Sequence, residues 1–250
     1  MNGVQRVRIL DSSVDALDFD QALDAALALA KDKTKTSYVV AVNPEKVMTV
    51  NREPFLSSFF ENADLALPDG IGVVLAARIL LGIKTSRVPG VELATAICRA
   101  SGSQGLKIFL YGAKEEVNAL AAEKLREEFP DIRIVGRQNG YLPEEEYDAL
   151  VDRINESGAD VLFLALGSPR QERWIDSYSE RLNVGLCMGI GGSLDVIAGV
   201  VKRAPKLWRD IKLEWLYRLL SQPSRWRRQR VLPLFVCKVL WEYVARRFRR

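Results

Sequence analysis

Short, strongly apolar segments alternate with helix-like segments along most of this chain, and that alternation limits the possible folds more than any other feature. The run VLFLALG at 161–167 is apolar at every position before its final glycine, as expected for a strand covered on both faces. Further strands are predicted at 7–10, 37–42, 64–67, 107–112, 132–136 and 184–192. Helices are predicted at 19–32, 71–82, 90–101, 114–129, 143–157 and 169–180. This order predicts an α/β fold built on a doubly wound, mainly parallel sheet.

The C-terminal part of the chain differs from the rest in charge. From Lys202 to Arg250 the sequence holds 15 Lys and Arg against 3 Asp and Glu, a net charge of +12, whereas the preceding part carries −8. Four of the five tryptophans also lie there: Trp208, Trp215, Trp226 and Trp241. We therefore predict a Rossmann-like domain over 1–200 and a basic, Trp-rich helical appendage over 201–250. Such an appendage suits an anionic membrane surface, a nucleic acid or a phosphorylated ligand.

Two helices are predicted in the appendage. The segment 205–221 has amphipathic periodicity, and a second helix runs over about 231–248. The apolar stretch of the second helix is only about 15 residues long and includes Lys238 and Glu242, so it is too short and too charged to span a bilayer. It can lie on a membrane surface instead.

The absence of histidine narrows the possible chemistry. It removes the commonest general base and any histidine-ligated metal site, so catalysis would use carboxylates, hydroxyls, thiols or amines. Cys98, Cys187 and Cys237 form no CxxC pair, and their odd number argues for a reducing compartment without a disulfide framework. No secretory signal is expected, because the first residues contain no apolar segment of that kind.

Four predicted strands end in small or polar residues, and in open α/β sheets ligands bind beyond the carboxyl ends of the strands. The four breaks are Asn43-Pro44-Glu45, Pro68-Asp69-Gly70, GSPRQE at 167–172 and GIGGSLD at 189–195. We expect them to converge on one crevice.

Asp69 has two interpretations. It is either a turn residue that caps the helix at 71–82, since Asp is a preferred N-cap and Asp-Gly a common turn pair, or a reactive carboxylate. In the second case Leu67, Pro68 and Ile71 would shield the carboxylate and allow it to act as a general base.

Two further breaks also leave alternatives open. The stretch 167–172 either forms an ordinary turn capped by Ser168 or offers main-chain N–H groups to a phosphate. The stretch 189–195 partly matches a dinucleotide fingerprint, although Leu194 stands at the third glycine position. Its glycines allow either close approach to a nucleotide or tight packing.

Two charged groups outside the breaks also have competing interpretations. Asp18 and Asp20 mimic a DxD metal motif, but their place at a helix start favours capping. Three appendage arginines either bind a diphosphate through their guanidinium groups or form a basic face on lipid head groups. These arginines are Arg218, Arg225 and Arg228.

Seven stretches of the sequence together resemble the WecG/TagA/CpsF glycosyltransferase family, most closely its TagA-like N-acetylmannosaminyltransferases. They are NPEKVM (43–48), ADLALPDGIGVV (63–74), RVPGVEL (87–93), FLYGAKEEV (109–117), LALGSPRQERWI (164–175), GIGGSLDVIAG (189–199) and KRAPKLWRDIKLEWLYRLLSQPSRWRRQ (202–229). They follow one another in order and without a large gap.

The resemblance implies an inverting, metal-independent glycosyltransferase without a cofactor. It would move N-acetylmannosamine from UDP-N-acetylmannosamine to polyprenyl-diphosphate-linked N-acetylglucosamine, forming the β-1,4 linkage of the wall teichoic acid linkage unit. The implied location is the cytoplasmic face of the cell membrane. There the appendage would bind the anionic surface peripherally and close over the lipid diphosphate; in solution it would be disordered or packed in a homo-oligomer.

The resemblance also implies roles for individual residues. Asp69 falls on the proposed catalytic base, and Asn43 and Arg87 fall on further catalytic positions. The predicted substrate-binding set joins the motif glutamine and the appendage arginines with the glycine-rich stretch: Gln171, Gly191, Gly192, Asp195, Arg218, Arg225 and Arg228. Ala41 departs from the pattern, because TagA-like proteins carry a threonine there.

Three alternatives remain beside this interpretation. A sibling of the same family would transfer N-acetylmannosaminuronic or glucuronic acid, with Arg87 and Arg170 as cations for the acidic sugar. A nucleic-acid-binding module would use the basic, Trp-rich appendage, since Trp and Arg stack on bases. A nicotinamide-dependent dehydrogenase would need the complete glycine fingerprint, which Leu194 interrupts.

Overall fold

The computed structural model describes residues 4–211, 213–221 and 226–248. Its strands are β1 (Gln5–Ile9), β2 (Ser12–Ala16), β3 (Ser37–Val42), β4 (Leu65–Pro68), β5 (Lys107–Gly112), β6 (Arg133–Gln138), β7 (Val161–Ala165) and β8 (Leu186–Gly189). Its helices are α1 (Phe19–Lys31), α2 (Pro44–Thr49), α3 (Phe55–Asn62), α4 (Ile71–Leu81), α5 (Gly90–Gln104), α6 (Glu115–Glu128), α7 (Tyr147–Glu156), α8 (Arg170–Tyr178), α9 (Ser193–Ile197), α10 (Lys206–Asp210), α11 (Glu214–Ser221), α12 (Trp226–Gln229) and α13 (Val231–Phe248).

The main sheet contains six parallel strands in the order β4-β3-β8-β7-β5-β6. The predicted α/β fold with a mainly parallel sheet is therefore confirmed. All five residues of β7 are buried, as its continuous apolar sequence indicated. Two apolar clusters cover the faces of the sheet, one under α2, α3, α4, α7 and α8, and the other under α1, α5 and α6.

The N-terminal strand was predicted only in part. The segment predicted at 7–10 belongs to an antiparallel hairpin of β1 and β2, which forms a separate two-stranded sheet. The sequence of β2, SSVDA, is too polar to read as a core strand, yet Ser12, Ser13 and Asp15 are buried. Asp15 is compensated by Arg6, at 2.8 Å, and accepts a hydrogen bond from the Ala66 main-chain nitrogen at 2.7 Å.

The starts of two helices follow from their sequences, and the predicted capping by Asp18 is confirmed. Asp18 is the N-cap of α1 and forms a capping box with Gln21, so the Asp18-Phe19-Asp20 motif is explained by capping. Pro44 stands in the first turn of α2, where its missing N–H costs no hydrogen bond.

The appendage differs from the prediction in its first part. Within 205–221 the structure describes two helices, α10 and α11, in place of one, and the Leu213 main-chain nitrogen donates to the Trp208 oxygen at 2.9 Å. The last helix, α13, packs on α2 and α4 through Phe235 and Val239, which are buried. The division at residues 200 and 201 stays a prediction. Among the described residues, no helix combines enough length with enough apolar character to cross a membrane.

Candidate active site

The four breaks lie at the ends of four neighbouring strands. In the order β4-β3-β8-β7, the chain leaves the sheet at Asp69, Asn43, Ile190 and Leu166, all at the carboxyl edge. The strand order thus places these segments side by side, although they are far apart in the sequence. A crevice at this edge is where ligands bind in folds of this class.

Asp69 follows β4 directly but does not cap α4. The N-cap of α4 is Gly70, which has φ +113° and makes no side-chain capping bond. The capping interpretation of Asp69 is therefore wrong, because the positive φ at the next residue moves the helix start beyond the aspartate. The Asp69 amide donates to the Val42 oxygen at 2.9 Å, which fixes the residue beside the end of β3, and Asp69 is half-buried.

Asn43 lies beside this turn and caps the neighbouring helix. A Cβ atom on Gly70 would lie 3.7 Å from the Asn43 Cβ atom, so the two turns are in contact. The Asn43 carboxamide oxygen accepts a hydrogen bond from the Lys46 main-chain nitrogen at 3.0 Å and so caps α2. Asn43 is half-buried, and its amide nitrogen is the group that it can offer to a ligand.

Arg87 is held next to the same turn. The Val88 main-chain nitrogen donates to the Pro68 oxygen at 3.0 Å, so the loop that carries Arg87 borders Asp69. The Arg87 guanidinium forms an ion pair of 3.2 Å with Glu214 of α11, and the two side chains are 17% and 8% exposed. This contact brings the appendage to the predicted catalytic residues.

Gln171 joins two other breaks and is buried. Its carboxamide oxygen accepts a hydrogen bond from the Gly191 main-chain nitrogen at 3.0 Å, and its amide nitrogen donates to Glu172 at 3.1 Å. The N-cap of α8 is Pro169 rather than Ser168. The main-chain nitrogen of Gln171 donates to the Gly167 oxygen. The alternative in which Ser168 caps the helix is therefore wrong, and the Gln171 main-chain N–H is not available to a phosphate.

The glycines of the 189–195 stretch have different surroundings. A Cβ atom on Gly189 would come within 2.5 Å of the Gln171 amide nitrogen, so tight packing explains that glycine. Gly191 has φ +52°, and apart from its chain neighbours none of the described residues has an atom within 4 Å of its Cβ position. At Gly192 the nearest atom is a carboxylate oxygen of the half-buried Asp195, at 3.7 Å. Open space beside Gly191 and Gly192 favours close approach of a ligand there.

A buried ion pair lies behind these loops. The Lys46 ammonium group is 2.7 Å from one Glu172 carboxylate oxygen, and the side chains are 11% and 1% exposed. Burial raises the pKa of Glu172, but the Lys46 cation and hydrogen bonds outweigh this effect, so the net shift is downward and the carboxylate stays ionised at neutral pH.

The remaining predicted residues are placed as follows. Arg225 lies outside the described residues, and so do the side chains of Arg218 and Arg228, whose main chains belong to α11 and α12. Ala41 is buried at the end of β3, where its methyl group lies 3.4 Å from the Cβ position of Gly90. Arg170, one cation required by the acidic-donor alternative, donates to the Tyr147 hydroxyl at 3.1 Å.

Sequence reasoning missed Lys46 and Glu214 as site residues. Lys46 follows Asn43 by one helical turn, and Glu214 is one of only three acidic residues in the appendage. Both signals are visible in the sequence, but only the strand order and the docking of α11 identify Glu172 and Arg87 as their partners.

Comparison with known proteins identifies the family of this chain. The chain is 37% identical over 209 residues to the N-acetylglucosaminyldiphosphoundecaprenol N-acetyl-beta-D-mannosaminyltransferase of Bacillus spizizenii, and the match covers 84% of this chain and 80% of that protein. Residues 7–249 match the model of the glycosyl transferase WecG/TagA/CpsF family. The chain therefore belongs to the glycosyl transferase WecG/TagA/CpsF family, as its motifs implied.

Proposed function

We propose that this chain transfers N-acetylmannosamine from UDP-N-acetylmannosamine to N-acetylglucosamine on undecaprenyl diphosphate, without a metal ion. The 37% identity to the Bacillus spizizenii enzyme supports this choice of substrates. The observation that carries the proposal is the meeting of Asp69, Asn43 and Arg87 at one sheet edge, held by the bonds from Asp69 to Val42 and from Val88 to Pro68.

The proposed reaction is a single displacement. The Asp69 carboxylate takes the proton of the acceptor 4-hydroxyl as that oxygen attacks C1 of N-acetylmannosamine. The bond from C1 to the UDP oxygen breaks, and its electron pair leaves on the diphosphate. Arg87 meets the negative charge that develops on the leaving UDP, a task for which a bidentate guanidinium group is suited. Attack from the side opposite UDP inverts the anomeric carbon and gives a β-1,4 linkage.

Gln171 and the Gly191–Gly192 turn are proposed to receive the donor nucleotide. Open space beside Gly191 lets a diphosphate approach the main chain closely, and Asp195 lies at the same turn. Arg218, Arg225 and Arg228 are proposed to bind the acceptor diphosphate. This part of the proposal rests on the motif positions and on the basic character of the appendage.

The test is transfer to a short-chain lipid-diphosphate N-acetylglucosamine in EDTA, with the product identified by mass spectrometry. UDP-N-acetylmannosamine, UDP-N-acetylmannosaminuronic acid and UDP-glucuronic acid are supplied separately. We expect product with the first donor. Product with only a uronic acid donor would replace the proposal by the sibling activity, and no product with any donor would refute transfer to this acceptor.

We further propose that α13 binds the cytoplasmic face of the membrane peripherally. Many of its outward side chains are apolar, with Leu234, Leu240, Trp241 and Phe248 between 51% and 87% exposed. Arg247 is exposed among them beside Tyr243, whereas two other cations of the helix contact the body. Lys238 donates to Asn51 at 3.3 Å, and Arg246 contacts Glu242 at 2.8 Å and the Leu80 oxygen at 3.5 Å. A helix with an apolar outer face and a basic surrounding sequence fits an anionic lipid surface.

Replacing the tryptophan on this face should weaken membrane binding. Trp241 is 75% exposed, so Trp241→Glu removes apolar surface that would enter the lipid without disturbing the core. We expect the affinity for vesicles with anionic lipid to fall roughly tenfold or more, measured by vesicle sedimentation. The matched control is Tyr141→Glu, because Tyr141 is 69% exposed and follows β6 at the opposite edge of the sheet. Equal loss in both variants would refute the role of α13.

A further inference from the structure

The Lys46–Glu172 ion pair connects the loops that follow three neighbouring strands. Lys46 lies on α2 after β3, and Glu172 lies on α8 after β7. The Glu172 oxygen that contacts Lys46 at 2.7 Å also accepts the hydrogen bond from the Gln171 amide at 3.1 Å. Through Gln171 the connection continues to the Gly191 nitrogen after β8, at 3.0 Å. These contacts join the loops of β3, β7 and β8.

The direction of these hydrogen bonds fixes the Gln171 carboxamide. An ionised carboxylate only accepts hydrogen bonds, so the Gln171 amide nitrogen must face Glu172 and its oxygen must face the Gly191 N–H. Packing holds the carboxamide in this place, because it lies against Gly189, where any Cβ atom would come within 2.5 Å of its nitrogen; its orientation is set by the two hydrogen bonds alone. Removal of the carboxylate charge would allow the carboxamide to reverse and lose the Gly191 bond.

Stability alone does not account for such a pair. Both side chains are almost fully buried, and removing two charges from water costs about as much as their attraction returns. Apolar residues of similar size would serve the packing as well. Orientation of Gln171, in contrast, is set best by a group that only accepts hydrogen bonds, such as the Glu172 carboxylate that the Lys46 cation keeps ionised.

We propose that Lys46 and Glu172 are positioning residues for the donor site: their ion pair orients Gln171, which holds the Gly191–Gly192 turn in the shape that receives the donor diphosphate. Neither residue needs to touch the substrate. The inference rests on the proposed function, because it assigns the donor to this turn. It adds two residues on separate helices that act only through Gln171.

The test uses Lys46→Met/Glu172→Met, which removes both charges together and so leaves no lone buried charge. We expect a melting temperature close to that of the wild type. We expect Kd for UDP and KM for UDP-N-acetylmannosamine to rise about tenfold, the effect of one lost oriented hydrogen bond, with kcat changed much less. Calorimetry with UDP and steady-state kinetics give these values. Unchanged Kd and KM in the folded variant would overturn the inference.

Two further variants keep the test decisive. Lys46→Met/Glu172→Gln retains an acceptor for the Gln171 amide and should recover part of the UDP affinity. If Lys46→Met/Glu172→Met does not fold, Lys46→Met/Glu172→Gln decides alone. Wild-type values of both the UDP affinity and the donor KM in that variant would refute a need for the charged pair. Arg6→Met/Asp15→Asn removes another partly buried pair, which joins the hairpin to β4, and should leave UDP binding unchanged.

The two proposals fail in different ways. If the wild type binds UDP but transfers no N-acetylmannosamine, the proposed function is wrong, and the UDP affinities still decide the role of the pair. If the wild type transfers the sugar and the Lys46→Met/Glu172→Met variant binds UDP equally well, only the positioning role is wrong. Failure of the wild type to bind UDP would refute both.

Discussion

Asp69→Asn is expected to lower kcat by about a hundredfold or more, the lower range for removal of a general base, with little change in the KM for the donor. The carboxamide has nearly the same size and keeps the main-chain bond of residue 69 to Val42, but it cannot take the acceptor proton. Steady-state transfer to the lipid-diphosphate acceptor measures both constants.

The matched control for this prediction is Asp18→Asn. Asp18 caps α1 on the body of the domain, and asparagine is as good an N-cap as aspartate, so kcat should be unchanged. Equal kcat values for Asp69→Asn and the wild type would mean that another group accepts the proton, and Asp69 would then have a purely structural role at the end of β4.

Arg87→Met/Glu214→Gln should lower kcat by about a hundredfold to a thousandfold, the effect of removing one group that stabilises transition-state charge. The Val88–Pro68 main-chain bond holds the loop that carries Arg87 beside Asp69. Replacing both residues avoids a variant in which buried Glu214 loses this cation and α11 docks differently. Transfer assays and a melting curve of the same sample distinguish a loss of kcat from a loss of folded protein.

Glu214→Gln alone is the control for the appendage contact. In the wild type the Arg87 guanidinium lies 3.2 Å from the Glu214 carboxylate. The amide oxygen of the glutamine can still accept a hydrogen bond from Arg87, so the guanidinium group stays at the site. We expect a change in kcat of less than about threefold, within the effect of one neutralised hydrogen-bond partner. A loss as large as that of the double variant would assign the effect to the docking of α11 instead of to Arg87.

The fold was predictable because its strongest signals are local. Strands such as β7 lie buried on both faces, so their sequence is continuously apolar, and helices such as α1 and α2 begin at capping residues that the sequence displays. The β1–β2 hairpin was not predictable from the same signals. Its polar residues are buried by partners from other segments, such as Arg6 for Asp15.

The site was predictable to the level of loops but not of contacts. The position of each break after an apolar strand indicated a shared edge, and the parallel sheet places those breaks on four adjacent strands. At Asp69 the local preference for capping was misleading, since Gly70 with its positive φ takes the N-cap. The pairs Lys46–Glu172 and Arg87–Glu214 join residues that are remote in the sequence, so only the assembled fold reveals them.

The anomeric configuration of the disaccharide-lipid product tests the central claim most directly. The wild type is incubated with UDP-N-acetylmannosamine, the short-chain acceptor and EDTA, and the product is examined by NMR. A single displacement assisted by Asp69 predicts a β-linked N-acetylmannosamine, inverted from the α-linked donor. An α-linked product would contradict the account, because retention requires a second displacement or departure of UDP before attack from the same face.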